Sequence, residues 1–128
     1  MNQLQAVGEV LERIRATGGP FDERAYVFVL GAIQYLQSRL PARRHVTGAE
    51  LAWACRDYAL EQYGLLATHV LDYWGVRESA DFGRIVYTLV EMGLLITQPG
   101  DKQQDFEGVY RFDRAFDATY VWQDGSAG

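Results

Sequence analysis

Few residues of this chain have side chains that commonly bind metals or act as nucleophiles, and they are widely spaced. The candidates are Cys55, His45 and His69, and no CxxC, HxxxH or HExxH spacing occurs. Nothing around Cys55 predicts the exposed, electropositive thiol that a Cys/His nucleophile pair requires. We therefore expect Cys55 to be a small core residue and His69 a helix-surface or hydrogen-bonded histidine. We predict no metal and no cofactor.

Carboxylates are more numerous, but their spacing is not that of a familiar site. Asp101, Asp105 and Glu107 have the composition of a calcium loop. They lack its alternating ligands, its central glycine and its late bidentate glutamate. Asp113 and Asp117 would share a helix face, which a solvated surface explains better than acid–base catalysis. The patterns GxxxxGK[ST], GxGxxG and GxSxG are also absent, so we predict a non-enzymatic protein.

Positive charge is concentrated in one stretch, which contains Arg39, Arg43, Arg44 and His45. The functional interpretation is a contact for phosphate or for an acidic partner. The simpler interpretation, which we favour, is a solvated loop whose arginines lie near the carboxyl end of a helix.

The net charge argues against a polyanion as the main partner. Twelve Lys and Arg oppose seventeen Asp and Glu, which gives a charge of −5 and a pI near 4.9. Residues 1–80 contain 8 basic and 9 acidic side chains, whereas residues 81–128 contain 4 and 8. The half that would face DNA is therefore the more acidic half.

The sequence carries no apparent targeting signal. No apolar run approaches the roughly 20 residues that cross a bilayer, and the polar start MNQLQ does not look like a signal peptide. The single cysteine cannot form an internal disulfide. We predict a cytoplasmic protein that does not contact membranes.

The elements that must position these residues are centred on the stretch SADFGRIVYTLVEMGLLIT, residues 79–97. Its apolar residues recur at spacings of three and four, which predicts one buried face of a helix. Ser79 can cap this helix, and Gly93 can end it in a Schellman turn that folds Leu94 back onto Leu89.

Two short strands are predicted after this helix. Residues 94–97 have the composition of a strand, and VYRF at residues 109–112 alternates as a returning strand. The polar loop 99–108 between them would form a wing, and residues 45–46 could add a third strand. This order is typical of the second half of a winged helix-turn-helix.

Two helices are predicted at the amino-terminal end. Residues 2–16 form a short amphipathic helix, followed by a Thr-Gly-Gly-Pro joint. A second and central helix should begin with Asp22 as its cap and run to about Leu40, because Pro41 disfavours helical geometry in the residue before it.

Two more helices separate this pair from residue 79. Thr47 and Glu50 form a capping box that begins the third helix, and residues 65–74 form a shorter fourth. We expect the fourth helix to turn Leu66, Val70 and either Tyr73 or Trp74 inward. Apolar residues flank Gly64, Gly75 and Gly93, which predicts tight corners in a three-helix unit.

The predicted fold is mainly α with a small β-hairpin. It is a winged helix-turn-helix-like three-helix core with extra amino-terminal helices, in a single domain. Residues 1–40 form the helical pair, 44–112 the core and 113–128 a carboxyl-terminal extension with a short helix. The oligomeric state is open, because the first helix could pack on its own domain or swap onto a neighbour.

Several segments also resemble a known family. These are RHVTGAEL, ALEQYGLLATHVLDYWGV, DFGRIVYTLVEMGLL and the trailing DF…Y-x-FD-x-AFD. Together they are similar to a small conserved hypothetical protein family associated with planctomycetes and verrucomicrobia, over about residues 26–120. The resemblance implies a bacterial protein. It implies no activity and no catalytic residue, because that family has no assigned activity.

The sequence is compatible with three functions. The first, which we favour, is a protein-interaction module that binds through Tyr87, Trp122 or the amphipathic first helix. The second is a DNA-binding transcriptional regulator that uses Arg84 with the cluster at residues 39–45, although the exposed side of its recognition helix would carry one cation and two anions. The third is an enzyme with a closed polar pocket around His69 and Asp72.

Overall fold

A computed structural model of the protein describes residues 7–17 and 19–116. The helices are α1 Val7–Thr17, α2 Glu23–Ser38, α3 Gly48–Tyr63, α4 Ala67–Tyr73, α5 Ser79–Glu91 and α6 Phe112–Ala115, with 3₁₀ turns at Gly64–Leu66 and Gln103–Phe106. Within those described ranges there is no β-strand. The predicted mainly helical class is confirmed, whereas the predicted β-hairpin, and with it the winged helix, is not supported.

The central helix is α2, which is buried on more than one side. Tyr26, Val29 and Ile33 are at most 5% exposed, and α2 packs against α1, α3 and α5. On another side of α2, the ring of Phe28 lies 5.2 Å from the ring of Tyr58 on α3 and contacts α5 as well. Burial of these large side chains on several sides makes α2 the axis of the core.

Helix α1 packs on the core of its own chain. Ile14 is 3% exposed, and the Arg13 guanidinium donates to the carbonyl oxygen of Met92, just after α5. Arg15 Nη2 donates to Glu23 Oε1 at 3.1 Å. The first part of the predicted helix 2–16, residues 2–6, lies outside the described residues.

Two predicted caps are confirmed. The Asp22 side chain accepts a hydrogen bond of 2.9 Å from the Arg24 amide at the start of α2. At the start of α3, Thr47 Oγ1 accepts from the Glu50 amide at 3.1 Å, and Glu50 Oε1 accepts from the Thr47 amide at 2.8 Å. These bonds satisfy amide groups that have no partner within the helix.

The Schellman turn predicted at Gly93 is also confirmed. Gly93 has φ +78°, and the Leu94 amide donates to the Leu89 carbonyl at 2.9 Å, while the Gly93 amide donates to Val90. Gly75 ends α4 in the same way, with the Val76 amide 2.8 Å from the carbonyl oxygen of Leu71.

The corner at Gly64 is different, and it changes which face of α4 is buried. Instead of reversing in a Schellman turn, the chain continues into the 3₁₀ turn Gly64–Leu66. Leu66 is 63% exposed and Tyr73 is 74% exposed, so the predicted inward position of Leu66 is wrong. The buried face of α4 carries Ala67 and Leu71, with Trp74 just after the helix, at the spacing of four and three that a helix face requires.

The prediction that Ser79 caps α5 is wrong. The N-cap residue is Glu78, and the Asp81 carboxylate accepts from the amides of Arg77 and Glu78 at 2.8 and 3.2 Å. Ser79 is buried and bonds another segment: its hydroxyl donates to the Phe106 carbonyl at 2.7 Å and accepts from the Val109 amide at 3.2 Å. Ser79 therefore anchors the chain that follows α5.

That following chain, residues 94–111, lies across the helices, and we call it the strap. Phe106 is 3% exposed and enters the contact between α3 and α5 at Gly48 and Gly83. A Cβ atom on Gly83 would lie 2.8 Å from the Cβ of Phe106, closer than side chains normally approach. Because burial of Phe106 holds the strap against the helices, the segment does not project as a hairpin wing.

Among the helices of the described residues, none combines the length and the apolar composition that a bilayer crossing requires.

Candidate binding groove

A groove of about 590 Å³ lies between the strap and α5 on one side and the end of α2 with the loop 39–47 on the other. Its floor is apolar and consists of Ile33, Leu51, Val86, Val90, Leu95 and Phe106. Its mouth carries polar side chains from both walls: Gln37, Arg43, Arg44, His45, Thr47, Tyr87, Gln98, Asp101, Lys102 and Asp105. This volume and this mixture are typical of binding sites for small molecules and for extended peptides.

The strap provides one wall of the groove and an exposed apolar edge. Leu95 points to the core and is 5% exposed, whereas the adjacent Ile96 lines the groove and is 86% exposed. An exposed branched side chain at the edge of an apolar cavity extends the apolar surface outward from the floor.

A polar contact between two side chains joins the two walls at the mouth of the groove. His45 Nε2, in the loop 39–47, lies 3.1 Å from Asp101 Oδ1 in the strap. The other oxygen of Asp101 accepts from the Gln98 amide at 2.8 Å. The Asp101 carboxylate therefore shapes its own turn while it contacts the opposite wall.

The loop 39–47 is held by Arg44 and Gln37. Arg44 donates to both carboxylate oxygens of Glu50, at 3.2 and 2.7 Å, and to the His45 carbonyl at 2.9 Å. The Gln37 amide group pairs with the backbone of Arg44 at 2.7 and 3.2 Å. The bonds from Arg44, together with those from Thr47, lower the pKa of Glu50 to about 2. The charge of Arg44 is therefore neutralised by Glu50.

Tyr87 brings an aromatic ring to the α5 wall. Its side chain is partly buried, and burial raises the pKa of its hydroxyl; the charges of Asp101 and Asp105 raise it further. Tyr87 thus lines the groove together with both aspartates.

Four residues that the sequence suggested as an interaction surface are brought together by this groove. They are Arg43, Arg44, His45 and Tyr87. The interpretation of the arginine cluster as a solvated loop stands for Arg39, which is exposed, lies over the Tyr35 ring at 4.3 Å and is 4.0 Å from Glu61. Arg39 does not line the groove.

The structure describes the position of one further suggested surface residue, Arg84. Arg84 is on α5 outside the groove lining and forms an ion pair with Asp81. Trp122 lies outside the described residues, as does Asp117. Of the described residues that the sequence suggested, Arg43, Arg44, His45 and Tyr87 line the groove, whereas Arg39 and Arg84 do not.

The residues considered for catalysis do not come together. Cys55 is fully buried and its burial raises its pKa, which confirms a core role. His69 is exposed on α4, as predicted for a helix-surface histidine, and Asp72 binds Arg77 Nε at 2.8 Å. Neither His69 nor Asp72 lines the groove. Over residues 7–17 and 19–116, no group of three or more His, Cys, Asp or Glu is placed to hold a metal ion.

Sequence reasoning missed the floor of the groove and the role of the strap in it. The available signal was Phe106, a large apolar residue within a polar loop, together with Gly83 in the middle of a helix. An interior glycine that lowers helix propensity often marks a close approach by another segment.

No protein-family model matches the chain, and searches of curated proteins and of solved structures also give no match. The resemblance to the planctomycete and verrucomicrobial family therefore remains a prediction.

Proposed function

We propose that this chain is a non-enzymatic protein-interaction module that receives an apolar segment of a partner protein in the groove. The observation that carries the proposal is the groove itself, with an apolar floor, a volume of about 590 Å³ and an edge formed by Ile96 at 86% exposure. Peptide-binding grooves use such a floor for side-chain contacts and a polar mouth for orientation.

The apolar edge makes a useful contribution to the binding energy. Full burial of an isoleucine side chain stabilises an interface by about 1.5–3 kcal/mol. A partner that covers Ile96 and enters the groove would bury it together with part of the floor. A few such anchors account for most of the affinity of a typical protein interface.

The charges in the structure favour a protein partner over nucleic acid. Arg44 and Arg84, which a DNA-binding surface would need, are paired with Glu50 and Asp81. Cations that are already neutralised release few counterions from DNA and contribute little affinity at physiological salt. The net charge of −5 acts in the same direction.

The test is affinity capture with matched surface variants. Tagged wild-type protein, Ile96→Asp and Leu65→Asp would each be used to capture partners from native lysate, with and without nuclease. Leu65 is a suitable control because it is 82% exposed on the α3–α4 corner and is not part of the groove lining. Both substitutions add the same charge at an exposed leucine or isoleucine, so neither should affect folding.

We expect one or more protein partners that resist nuclease, are lost with Ile96→Asp and are retained with Leu65→Asp. Loss of the partner with Leu65→Asp alone would show that the interaction uses the exposed residues of the α3–α4 corner. Recovery that depends on nucleic acid would contradict the proposal and would direct mutagenesis to Arg43, Arg44 and Arg84.

A further inference from the structure

We propose that the segment bound in the groove carries a lysine or arginine next to its apolar residues, and that this basic side chain lies against Tyr87 beside Asp101 and Asp105. This inference rests on the proposed function and specifies the chemistry of the partner.

The strap wall of the groove carries two carboxylates. Asp101 and Asp105 both belong to the strap and both line the groove with Tyr87. One oxygen of Asp105 accepts from the Lys102 amide at 3.0 Å, which fixes the carboxylate in its turn. Within the described part of the chain, neither the second oxygen of Asp105 nor the Tyr87 hydroxyl has a hydrogen-bond partner. The second oxygen of Asp105 and the Tyr87 hydroxyl are therefore available to a ligand.

Basic side chains also line the groove. Arg44 is directed at Glu50, His45 Nε2 lies 3.1 Å from Asp101 Oδ1, and Arg43 and Lys102 are exposed. Burial raises the pKa of the Tyr87 hydroxyl, and the charges of Asp101 and Asp105 raise it further. Asp101, Asp105 and Tyr87 thus form an acidic and aromatic part of the lining, although the mouth as a whole carries both signs.

The chain already forms twice a contact in which one arginine meets both a tyrosine ring and a carboxylate. Arg39 lies over the Tyr35 ring at 4.3 Å and near Glu61. Arg24 lies over the Tyr73 ring at 5.6 Å and binds Asp22 at 2.9 Å. In each case a cation contacts an aromatic face and a carboxylate together.

At the groove, Tyr87 supplies the aromatic ring and Asp101 and Asp105 supply the carboxylates. A basic side chain of the partner completes the same three-part contact, and its neighbouring apolar residues reach the floor at Val86 and Val90. The overall charge of −5 increases the rate at which a basic segment encounters the protein.

A random linear-peptide display library, selected on the immobilised full chain, tests this inference. We expect the enriched peptides to carry Lys or Arg beside apolar residues and to lose binding to Ile96→Asp. Asp105→Asn preserves the shape of the side chain and its bond to the Lys102 amide but removes the charge. We expect it to weaken binding by about tenfold, and Asp113→Asn, on an exposed pair with Arg111, to have no effect.

A second readout uses one enriched peptide and its norleucine analogue, in which the basic residue is replaced. Binding of the basic peptide should weaken with added salt, whereas binding of the analogue should be weaker and less sensitive to salt. Peptides that require Ile96 but show no basic residue, or that bind Asp105→Asn as tightly as wild type, overturn this inference and leave the proposed function intact. If no peptide depends on Ile96, both fail.

Discussion

Glu50 is a single carboxylate that supports two structural features, the start of α3 and the loop that borders the groove. It accepts from the Thr47 amide and from both terminal nitrogens of Arg44. Local sequence was enough to predict the first contact, because a capping box needs only residues three positions apart. The contact with Arg44 depends on how the loop 39–47 folds back, which spacing alone does not determine.

The ionisation of Glu50 should make the stability of the protein depend on pH. The pKa of Glu50 falls from 4.5 to about 2 on folding, mainly because Arg44 binds the ionised form. A lowered pKa in the folded state gives stability that is present above pH 4.5 and is lost as the pH falls toward 2. Urea unfolding of wild type and Glu50→Gln should therefore differ most above pH 4.5 and converge near pH 2. A difference in the free energy of unfolding that does not change with pH over that range would contradict the lowered pKa of Glu50. Glu107→Gln, at an exposed position, is the control.

Gly93 is required for its backbone conformation and not because a larger side chain would clash. Its φ of +78° favours glycine, and a Cβ atom there would meet no other atom within 4 Å. Gly93→Ala should reduce the free energy of unfolding by roughly 1–2 kcal/mol, since only the left-handed conformation is penalised. Gly93→Asn should lose less, because asparagine tolerates that conformation better. Denaturant unfolding of the two variants measures both values, and equal stability of Gly93→Ala and wild type would disprove this explanation.

At the scale of elements, the strap is the part that sequence patterns described wrongly. Residues 109–112 alternate as a strand does, and the loop before them is polar. A strand is stable only when another strand pairs with it, and periodicity does not reveal whether such a partner is close. The contact of Phe106 with Gly83 joins positions 23 apart in sequence, and only the folded arrangement brings them together. The positions of α2, α3 and α5 were predicted well because caps and apolar stripes are local, whereas the cap of α5 and the inward position of Leu66 were predicted wrongly.

Ser79 should control how firmly the strap is attached. Ser79→Ala would leave the Phe106 carbonyl and the Val109 amide without their bonds to the hydroxyl. An unsatisfied buried polar group costs roughly 1–3 kcal/mol, so the variant should be less stable by at least that amount. The Val109 amide should also exchange its hydrogen faster. Thr88→Ala is the matched control, because the Thr88 hydroxyl bonds within α5 to Arg84. Unchanged exchange at Val109 would rule out the anchor.

At the scale of the whole molecule, the core and the groove share residues. Ile33, Leu51 and Phe106 belong to the buried core and also form the floor of the groove. The sequence predicted a single domain, and three residues of its positively charged stretch, Arg43, Arg44 and His45, line the mouth of the groove. The cavity could not be predicted, because its walls come from α2, the loop 39–47, α5 and the strap, whose relative positions are set by long-range packing.

Cys55 reports the opening of the whole core. Its side chain is fully buried, and burial raises its pKa, so little thiolate exists in the folded protein. Labelling with an aromatic disulfide reagent should be slow in water and should accelerate with denaturant in parallel with global unfolding. An exposed reference thiol, Gln104→Cys in a Cys55→Ala background, should react rapidly at every denaturant concentration. Fast labelling of Cys55 without denaturant would show that the core opens locally.

The bond from Arg13 to the Met92 carbonyl has a consequence for biosynthesis. Its two residues are 79 positions apart. A ribosome adds roughly 5–20 residues per second, so the acceptor is made roughly 4–16 s after the donor. During that interval the amphipathic α1 has α2 to pack against but not the end of α5. A nascent chain thus presents its first helix to chaperones for seconds before the last turn of α5 is available to hold it.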